Sequence, residues 1–537
     1  MGGSLGWIGR RDLVRLLGMG GAALAASLPE RVHAATHKTT LVLGIDISDS
    51  ITFDPARESQ YTPPMTVNAC YDALLTMAPG NYIDPQPALA TKWERSQNGK
   101  AWRFTLRPGA KFNSGNPVTA EDVKFTFDRL INLKDQPSQY VPNIDHVAVV
   151  DPGTVDIVLK NPREPILTII SGCNFGIMEK RALEAHGGTD AADASTADRA
   201  TPWLNQHSAG AGPFTLVGWT HGAQILLTRN PHYWRGVPSF EHIVIRHMAD
   251  SATQLLAVKR GDIDAAFNLI PEQIATLKGV KGVRVESLRS LDFVYMALTT
   301  EPQFNKALAV QEARQAIGYA IDYDGITHDL LGGAAMRCAS FVPIGLRGST
   351  EAIAKEIGYH QDLPRAKTLL AKAGFPDGFS YQLSYGDAAV SGLSYAVLGQ
   401  KIQSDLARVG IKVELHPMDQ VNLRTSYTSG HSTAVLTFWN PSGVEAELWA
   451  AASVERVAKR LHWTPPASLV ALVHQAAEET DPQKQAQLYI DYQKAVIAMG
   501  GLLILFQPIY QFAVRDTVQT FPLTAAGWEV DMAGVVA

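Results

Sequence analysis

The alternation of helix and strand patterns constrains the fold of this chain more than any other feature of its sequence. In the second half, a helix pattern begins at Asp362 and stops at Gly374, and another covers residues 397–409. The second pattern leads through Gly410 into an apolar strand pattern at residues 411–415. Helices and strands that alternate in this way are typical of α/β architecture. We therefore expect α/β domains.

A compact strand-then-helix module is predicted in the first half. Asn98-Gly99 is a typical hairpin turn, and residues 102–106 after it alternate apolar and polar side chains. Thr119, with Asp122 three positions later, indicates the start of a helix. These patterns predict a half-buried strand followed by an amphipathic helix.

Length and charge limit the classes of protein that remain. A chain of 537 residues has room for two or three domains, each with its own core. The formal net charge of −5 gives no basic surface for nucleic acid or for an anionic membrane. We expect no nucleic-acid partner.

The first residues have the pattern of an export signal. Arg10 and Arg11 precede an apolar run at residues 16–28, and a small-residue site ends at Ala34. That run is too short to cross a bilayer, which needs about 20 residues. Residues 1–34 are therefore predicted to be a signal peptide of the twin-arginine type, which places the mature chain in the periplasm.

Sequence motifs of enzymes and metal sites are missing. Beyond the predicted signal peptide, the sequence contains no G-x-S-x-G, no H-E-x-x-H, no Walker loop and no paired-cysteine zinc pattern. We expect no catalysis, no cofactor and no metal site of the protein's own. Cys70, Cys173 and Cys338 permit at most one disulfide bond, and we expect buried free thiols.

Several sequence blocks, in a fixed order, together resemble one known family. The blocks are 87–90 with Trp93-Glu94, 104–109, Lys111-Phe112, Gly115, 117–123 and Arg129; then Gly212-Pro213-Phe214, Arg229-Asn230, Tyr233-Trp234 and Gly236; then 314–316 and 319–322; and finally 366–367, 369–370 and 373–379. This pattern resembles the large peptide/nickel-type solute-binding proteins of ABC importers, extracellular solute-binding protein family 5.

The resemblance implies a fold and its domains. It implies an α/β, two-lobed periplasmic binding protein fold (type II-like, cluster C) with an extra subdomain in the first lobe. By analogy, the first lobe comprises residues 35–74, 209–288 and 509–537, the subdomain covers 75–208, and the second lobe covers 289–508. It also implies that the lobes close around a solute and that the closed form docks on an ABC permease with its ATPase subunits. Contact with the membrane is then expected only through the permease.

Two ligand-binding residues of the dipeptide-binding members are missing where the resemblance places them. Their aspartate for the ligand ammonium would fall at 440–442, which reads Asn-Pro-Ser, although Glu445 or Glu447 could substitute. Their arginine for the ligand carboxylate would fall near Ala389, and residues 374–407 contain no arginine. A buried zwitterion without partners costs several kcal/mol, so an ordinary free dipeptide is disfavoured.

The candidate ligand-binding residues are few. Phe438, Trp439 and Asn440 remain at the expected place, and they suit a flat, neutral or sugar-like solute, or a longer peptide held by its backbone. The further candidates, each with an ordinary alternative as a surface or packing residue, are Glu445, Arg337, Arg347, Tyr385 and Tyr295. We expect capture of a peptide or peptide-like solute. The alternatives left open are a glycoside, an opine, a metal chelate such as one of nickel, and a ligand-sensing module.

Overall fold

A computed structural model describes residues 38–79, 84–96, 99–161, 166–439, 445–479, 481–523 and 530–537. The predicted signal peptide, Asn98 and the site candidate Asn440 lie outside these ranges. The structural statements below concern the described residues.

The strands follow the chain in this order: β1 (Thr40–Ile45), β2 (Leu75–Thr76), β3 (Gln86–Pro87), β4 (Ala90–Arg95), β5 (Ala101–Leu106), β6 (Ile144–Asp151), β7 (Thr154–Leu159), β8 (Phe214–Thr220), β9 (Gln224–Arg229), β10 (His242–His247), β11 (Ala265–Ala266), β12 (Val283–Arg289), β13 (Phe293–Leu298), β14 (Ala335–Met336), β15 (Ser380–Gly386), β16 (Ala389–Val390), β17 (Leu393–Ser394), β18 (Lys412–Met418), β19 (Ala434–Trp439) and β20 (Leu502–Arg515).

The α-helices are α1 (Pro64–Cys70), α2 (Ala120–Leu133), α3 (Ile166–Ile169), α4 (Lys180–Ala185), α5 (Ala194–Ala197), α6 (Thr201–Leu204), α7 (Ser251–Arg260), α8 (Pro271–Ala275), α9 (Gln311–Ala320), α10 (Glu351–Ile357), α11 (Leu363–Lys372), α12 (Tyr395–Ala407), α13 (Gln420–Thr428), α14 (Ala446–Ala452), α15 (Ala458–Arg460), α16 (Ala467–Glu478) and α17 (Pro482–Met499). Short 3₁₀ turns occur at Gln136–Tyr140, Cys173–Phe175 and Met532–Gly534, and π-helical turns at Gly325–Leu330 and Ser453–Val457.

One large mixed sheet runs through both lobes, and strand β20 joins its two parts. The strand order is β18-β15-β19-β13-β20-β11-β1-β10-β9-β8, and β12 and β14 also pair with β20. The first part of β20 pairs with β13, through residues such as Leu503. Its last part, Ile509 to Arg515, pairs with β12. β20 therefore crosses from one lobe to the other, as does the chain between β12 and β13.

Buried apolar side chains form separate cores on the two sides of these crossings. One core joins residues of β1, β8, β9 and β10 with the end of β20. Two more cores cover opposite faces of the sheet formed by β13, β15, β18 and β19. A fourth lies between the four-stranded sheet β4-β5-β7-β6 and helix α2. Separate cores on either side of two narrow crossings are what lobe movement about a hinge requires.

Arg129, one of the residues in the matching blocks, has a structural role. Its guanidinium is fully buried and donates two hydrogen bonds to each of two carboxylates. The distances are 2.8 and 2.6 Å to Asp54, and 2.9 and 3.0 Å to Asp198. These bonds join α2 to the segment after β1 and to the segment after α5. A buried charge needs such complete pairing, so the site of Arg129 is part of the scaffold.

The predicted strand-then-helix module agrees with the structure. β4 and β5 pair antiparallel across the predicted turn. Thr119 is the N-cap of α2, and its backbone N–H donates to Asp122 at 2.9 Å. In the second half, the predicted pattern that starts at Asp362 is α11, with the Asp362 side chain capping its first turn.

Three observations concern cysteines, metals and membranes. Cys70, Cys173 and Cys338 are buried free thiols, as expected. Within the described ranges, no cluster of three or more His, Cys, Asp or Glu side chains is placed to hold a metal ion. The same part of the chain has no helix with the length and apolar character needed to cross a membrane.

Candidate solute-binding cleft

A cavity of about 1030 Å³ lies between the lobes and is lined by residues from both of them and from a crossing segment. The first lobe contributes α1, the loop after it, the turn at Gln136–Tyr140, α3 and the loop 233–235. The crossing segment contributes Asp292. The second lobe contributes β13, α13, the end of β19 and Arg456 and Arg460. This volume lies at the upper end of the range typical of small-molecule sites.

The end of β19 forms an aromatic wall. Phe438 and Trp439 both line the cavity, although neighbouring residues of a strand point to opposite faces of its sheet. Phe438 is half-buried and packs against one second-lobe core, and Trp439 belongs to the other. Trp439 is 8% exposed and meets Phe341 edge-on, with ring centroids 5.3 Å apart. Its indole Nε1 has no hydrogen-bond partner among the described residues.

Arg456 and Arg460 lie on the same wall. A helical segment continuous through α14, the π-helical turn Ser453–Val457 and α15 carries both residues. Their guanidinium carbons lie 5.1 and 5.6 Å from the centroid of the Trp439 ring. Arg460 also lies 5.2 Å from the ring of Tyr427. Burial lowers the pKa of Arg456, and the charge of Arg460 lowers it further, while Tyr140 opposes these effects.

Asp292 places a carboxyl group at the crossing between β12 and β13. It is 5% exposed and accepts hydrogen bonds from Tyr510 at 2.5 Å and from Tyr61 at 3.3 Å. Burial raises the pKa of Asp292 to about 6, against the opposing effect of the two tyrosine hydroxyls. Both the cavity and the hinge region therefore contain this carboxyl group.

Asp72 supplies another carboxyl group, from the first lobe. It follows α1, lines the cavity and accepts a hydrogen bond from the indole N–H of Trp234. Burial raises the pKa of Asp72 to about 7, although Trp234 and Arg235 favour the ionised form. Arg235 itself is paired with Asp531 through two contacts of 3.0 Å. Carboxyl groups thus occupy the first lobe and the crossing, while Arg456 and Arg460 on the second-lobe wall form no ion pair with a carboxylate of the described residues.

Several predicted candidates lie away from the cavity lining. Arg337 donates to Asp324 at 3.2 Å and to the backbone oxygen of Tyr359. Tyr385 is 6% exposed and packs inside a second-lobe core. Neither residue lines the cavity, because each is held by its own neighbours. Tyr295 does line it, and its hydroxyl lies 2.8 Å from that of Tyr427.

Glu445 lies where the lobes meet rather than in the cavity lining. Burial raises its pKa, and a hydrogen bond with Thr168 and the charge of Arg347 act in the opposite direction. Thr168 belongs to α3 of the first lobe and does line the cavity. Glu445 therefore takes part in a contact across the cleft.

The sequence interpretation missed Arg456, Arg460, Asp292 and Asp72. Arg456 and Arg460 are four positions apart in a helical segment, and charged residues at that spacing usually form a solvated face. Asp292 directly precedes the strand pattern of β13, and Asp72 lies two residues after a short helix. The sequence signal for Arg456 and Arg460 is their position close behind the aromatic end of β19. The resemblance instead directed attention to a single carboxylate-binding arginine near Ala389.

Two lobes that each contain part of a sheet, two crossings and a cavity between the lobes define a periplasmic binding protein fold. Comparison with known proteins agrees. The model of the bacterial extracellular solute-binding proteins, family 5 (middle), matches residues 84–450. This match covers more than half of the chain, which therefore belongs to that family, and the predicted ABC solute-binding class is confirmed.

Individual relatives support the same placement. The probable D,D-dipeptide-binding periplasmic protein DdpA of Escherichia coli K12 is 29% identical over 507 residues, which are 93% of this chain and 94% of that protein. The dipeptide-binding protein of Pseudoalteromonas sp. SM9913, solved with Met-Leu, aligns with a TM-score of 0.78 at 21% identity, over 93% and 99% of the two chains. MoaA of A. tumefaciens R10, solved with mannopinic acid, aligns with a TM-score of 0.75 at 24% identity, over 93% and 98%. The two structures bear on the fold alone, and they confirm the predicted two-lobed α/β class.

The family also bears on location and on chemistry. It consists of binding proteins, and relatives such as DdpA are periplasmic. A periplasmic location and a non-catalytic role agree with this membership.

Proposed function

We propose that this protein captures a peptide or peptide-like solute in the cleft between its lobes and delivers it to an ABC permease. The observation that carries the proposal is the cavity of about 1030 Å³, which is enclosed by both lobes and contains arginines as well as carboxyl groups. A peptide with free termini carries one charge of each sign and would find a partner for each. The similarity to a probable D,D-dipeptide-binding protein over 93% of the chain supports the same solute class.

The domain limits are part of the proposal. We assign residues 35–74, 209–288 and 509–537 to the first lobe, 75–208 to its subdomain and 289–508 to the second lobe. The separate apolar cores support this division, since one core joins β1 to the end of β20 and two others lie within 291–506. Binding in the cleft would favour the closed form, because only that form lets a solute contact both lobes at once.

The route of export and the partners are also proposed. Arg10 and Arg11 support twin-arginine export, with residues 1–34 removed. Delivery requires a permease and its ATPase subunits in the membrane, and the family membership supports such partners.

The test is a titration of the purified protein by calorimetry with D-alanyl-D-alanine, L-alanyl-L-alanine, trialanine, mannopinic acid and nickel-histidine. We expect micromolar or tighter binding of at least one peptide, with the apparent melting temperature rising in parallel. At a hundredfold excess over Kd, binding to the native state alone stabilises it by about 2.7 kcal/mol. Binding of mannopinic acid or nickel-histidine without any peptide would overturn the peptide assignment.

A further inference from the structure

We propose that Arg456 and Arg460 form the carboxylate subsite of the cleft and bind an anionic end of the solute. The proposal rests on the function above and names the side chains that would recognise one end of such a solute. It differs from the expectation drawn from the dipeptide-binding members, which places the carboxylate-binding arginine near Ala389.

The placement of the two arginines is the first step. Both line the cavity and both lie against one indole ring, that of Trp439, at 5.1 and 5.6 Å. Cation–π contact with the ring positions both guanidinium groups, and Arg460 also shares a side-chain hydrogen bond with Tyr427. Five N–H donors in a rigid fork match the geometry of a carboxylate.

The charges around the pair are the second step. Glu455 is exposed and attracts Arg456 only weakly, and no described carboxylate forms an ion pair with Arg456 or Arg460. The arginine of the first lobe, Arg235, is by contrast fully paired with Asp531. Two like charges side by side in a half-buried position repel each other, and a bound anion removes that repulsion. The pair therefore lacks a counter-ion that a ligand can supply.

A third observation points to the same place. The Nε1–H of Trp439 is a buried donor without a partner in the described part of the chain, and its residue is only 8% exposed. A buried donor that stays unpaired is unfavourable by about 1–3 kcal/mol. A ligand oxygen bound to the two arginines would also lie close to Trp439, because both arginines lie against its ring.

The position expected from dipeptide-binding members offers no competing subsite. Ala389 lies in β16, outside the cavity lining, and is exposed. Arg408, the next arginine along the chain, lies beside Gln361 at 3.4 Å and also does not line the cavity. The helical segment after β19 therefore supplies the positive charges of this cleft from the second lobe, together with Arg424 of α13.

The experiment compares D-alanyl-D-alanine with D-alanyl-D-alaninamide, which lacks the carboxylate, on the wild type and on Arg456→Gln and Arg460→Gln. The wild type is expected to prefer the free acid by about 30-fold or more, as for other buried charge pairs. Each variant is expected to lose about 30-fold in affinity for the acid and to bind acid and amide within about threefold of each other. Variants that keep the wild-type preference would overturn the proposal.

Controls separate binding from folding. Arg365→Gln removes an exposed arginine that stacks on Tyr319 at 4.0 Å, away from the cavity, and should leave both affinities unchanged. Arg456→Lys and Arg460→Lys keep the charge and should retain part of the preference, because an ammonium binds a carboxylate less specifically than the guanidinium fork does. If a glutamine variant fails to fold, the lysine variants decide. Full wild-type affinity for the acid in both lysine variants overturns the proposal that the guanidinium groups bind the carboxylate, and a partial loss of affinity supports it.

Failure of the subsite and failure of the peptide assignment give different results. Peptide binding that is indifferent to both arginines overturns the subsite and leaves the function standing. Binding of mannopinic acid alone, lost in the arginine variants, overturns the peptide assignment and supports the carboxylate subsite. Absence of binding by all of these compounds overturns both.

Discussion

Asp292 lies in the crossing between the lobes and also lines the ligand cavity. It lies between β12 and β13 and accepts hydrogen bonds from two tyrosine hydroxyls of the first lobe and of β20. Burial raises its pKa to about 6, so its charge changes within the range of ordinary experimental conditions. Folding therefore favours the protonated form of the Asp292 carboxyl group over the ionised form.

We predict that Asp292 makes the native state less stable as the pH rises. The pKa is about 3.9 in an unfolded chain and about 6 in the folded protein. The favourable contribution of the protonated carboxyl is therefore complete below pH 3.9 and is lost as the pH rises through 6. The loss is on the order of 3 kcal/mol. Thermal unfolding of the wild type and of Asp292→Asn between pH 4 and pH 7.5 measures it: the variant should gain stability relative to the wild type as the pH rises.

The exposed Asp377 provides the matched control. Asp377→Asn replaces an exposed carboxyl outside the cavity by the same amide, and the effect assigned to Asp292 is the difference between the two variants. A difference that stays constant across the pH range would contradict the prediction.

At the residue level, the family pattern was the source of the main predicted binding positions. Phe438 and Trp439 were predicted to lie at the cleft because the end of a strand is fixed by the fold, and both line the cavity. Arg456 and Arg460 lie on a helical segment with a π-helical turn at Ser453–Val457, and such a turn shifts the direction of every later side chain. No periodicity in the sequence reveals that turn, and so the position of the two arginines close behind β19 was the one sequence signal for the cation pair.

At the scale of elements, local patterns predicted helices well and the long crossing strand poorly. Thr119 with Asp122, and Asp362, mark helix starts through side chains that bind neighbouring backbone groups, and the structure has α2 and α11 at these places. β20 continues to Arg515, past Pro508, a residue that usually ends a central strand. The oxygen of Pro508 accepts hydrogen bonds from the Ser290 hydroxyl at 3.0 Å and from the Ser290 N–H at 3.3 Å, and these bonds tie the two crossings together.

Gln507 is the polar side chain that holds this crossing region. It is fully buried, donates to the backbone oxygens of Ser290 at 2.7 Å and Ile344 at 2.9 Å, and accepts from the Ile344 N–H at 2.8 Å. We predict that Gln507→Leu lowers the free energy of unfolding by about 2–4 kcal/mol, because three buried backbone groups lose their partner. Thermal or urea unfolding of the ligand-free protein measures this loss.

The control for Gln507 is Gln487 on the exposed side of α17. Its amide donates to Asp491 at 2.9 Å, and Gln487→Leu should change the free energy of unfolding by less than about 0.5 kcal/mol. Equal stabilities of the Gln507 and Gln487 variants would show that the crossing is held by other contacts.

At the scale of the whole molecule, polar contacts outside the crossings also join the two lobes. Glu445 of the second lobe bonds to Thr168 of α3. Arg456 lies close enough to Tyr140 of the subdomain for an electrostatic interaction between the two side chains. Both contacts bridge the cleft, so each exists only when the lobes are together. The family resemblance of the sequence was enough to predict two lobes that close. The individual contacts that favour closure depend on loop residues, for which the sequence has no recognisable pattern.

We predict that Thr168→Val weakens solute binding through faster release. Valine keeps the shape of threonine but cannot bond to Glu445, whose buried carboxylate then loses a donor in the closed form only. A hydrogen bond to a charged group contributes about 1.5–3 kcal/mol, so the affinity should fall by about tenfold or more. Because the bond forms after encounter, stopped-flow measurements should place the change in the dissociation rate constant, with the association rate constant within about twofold of the wild type. Thr220→Val, at the exposed end of β8, should leave both constants unchanged, and a Thr168→Val protein that releases solute at the wild-type rate would exclude this contact from the closing of the lobes.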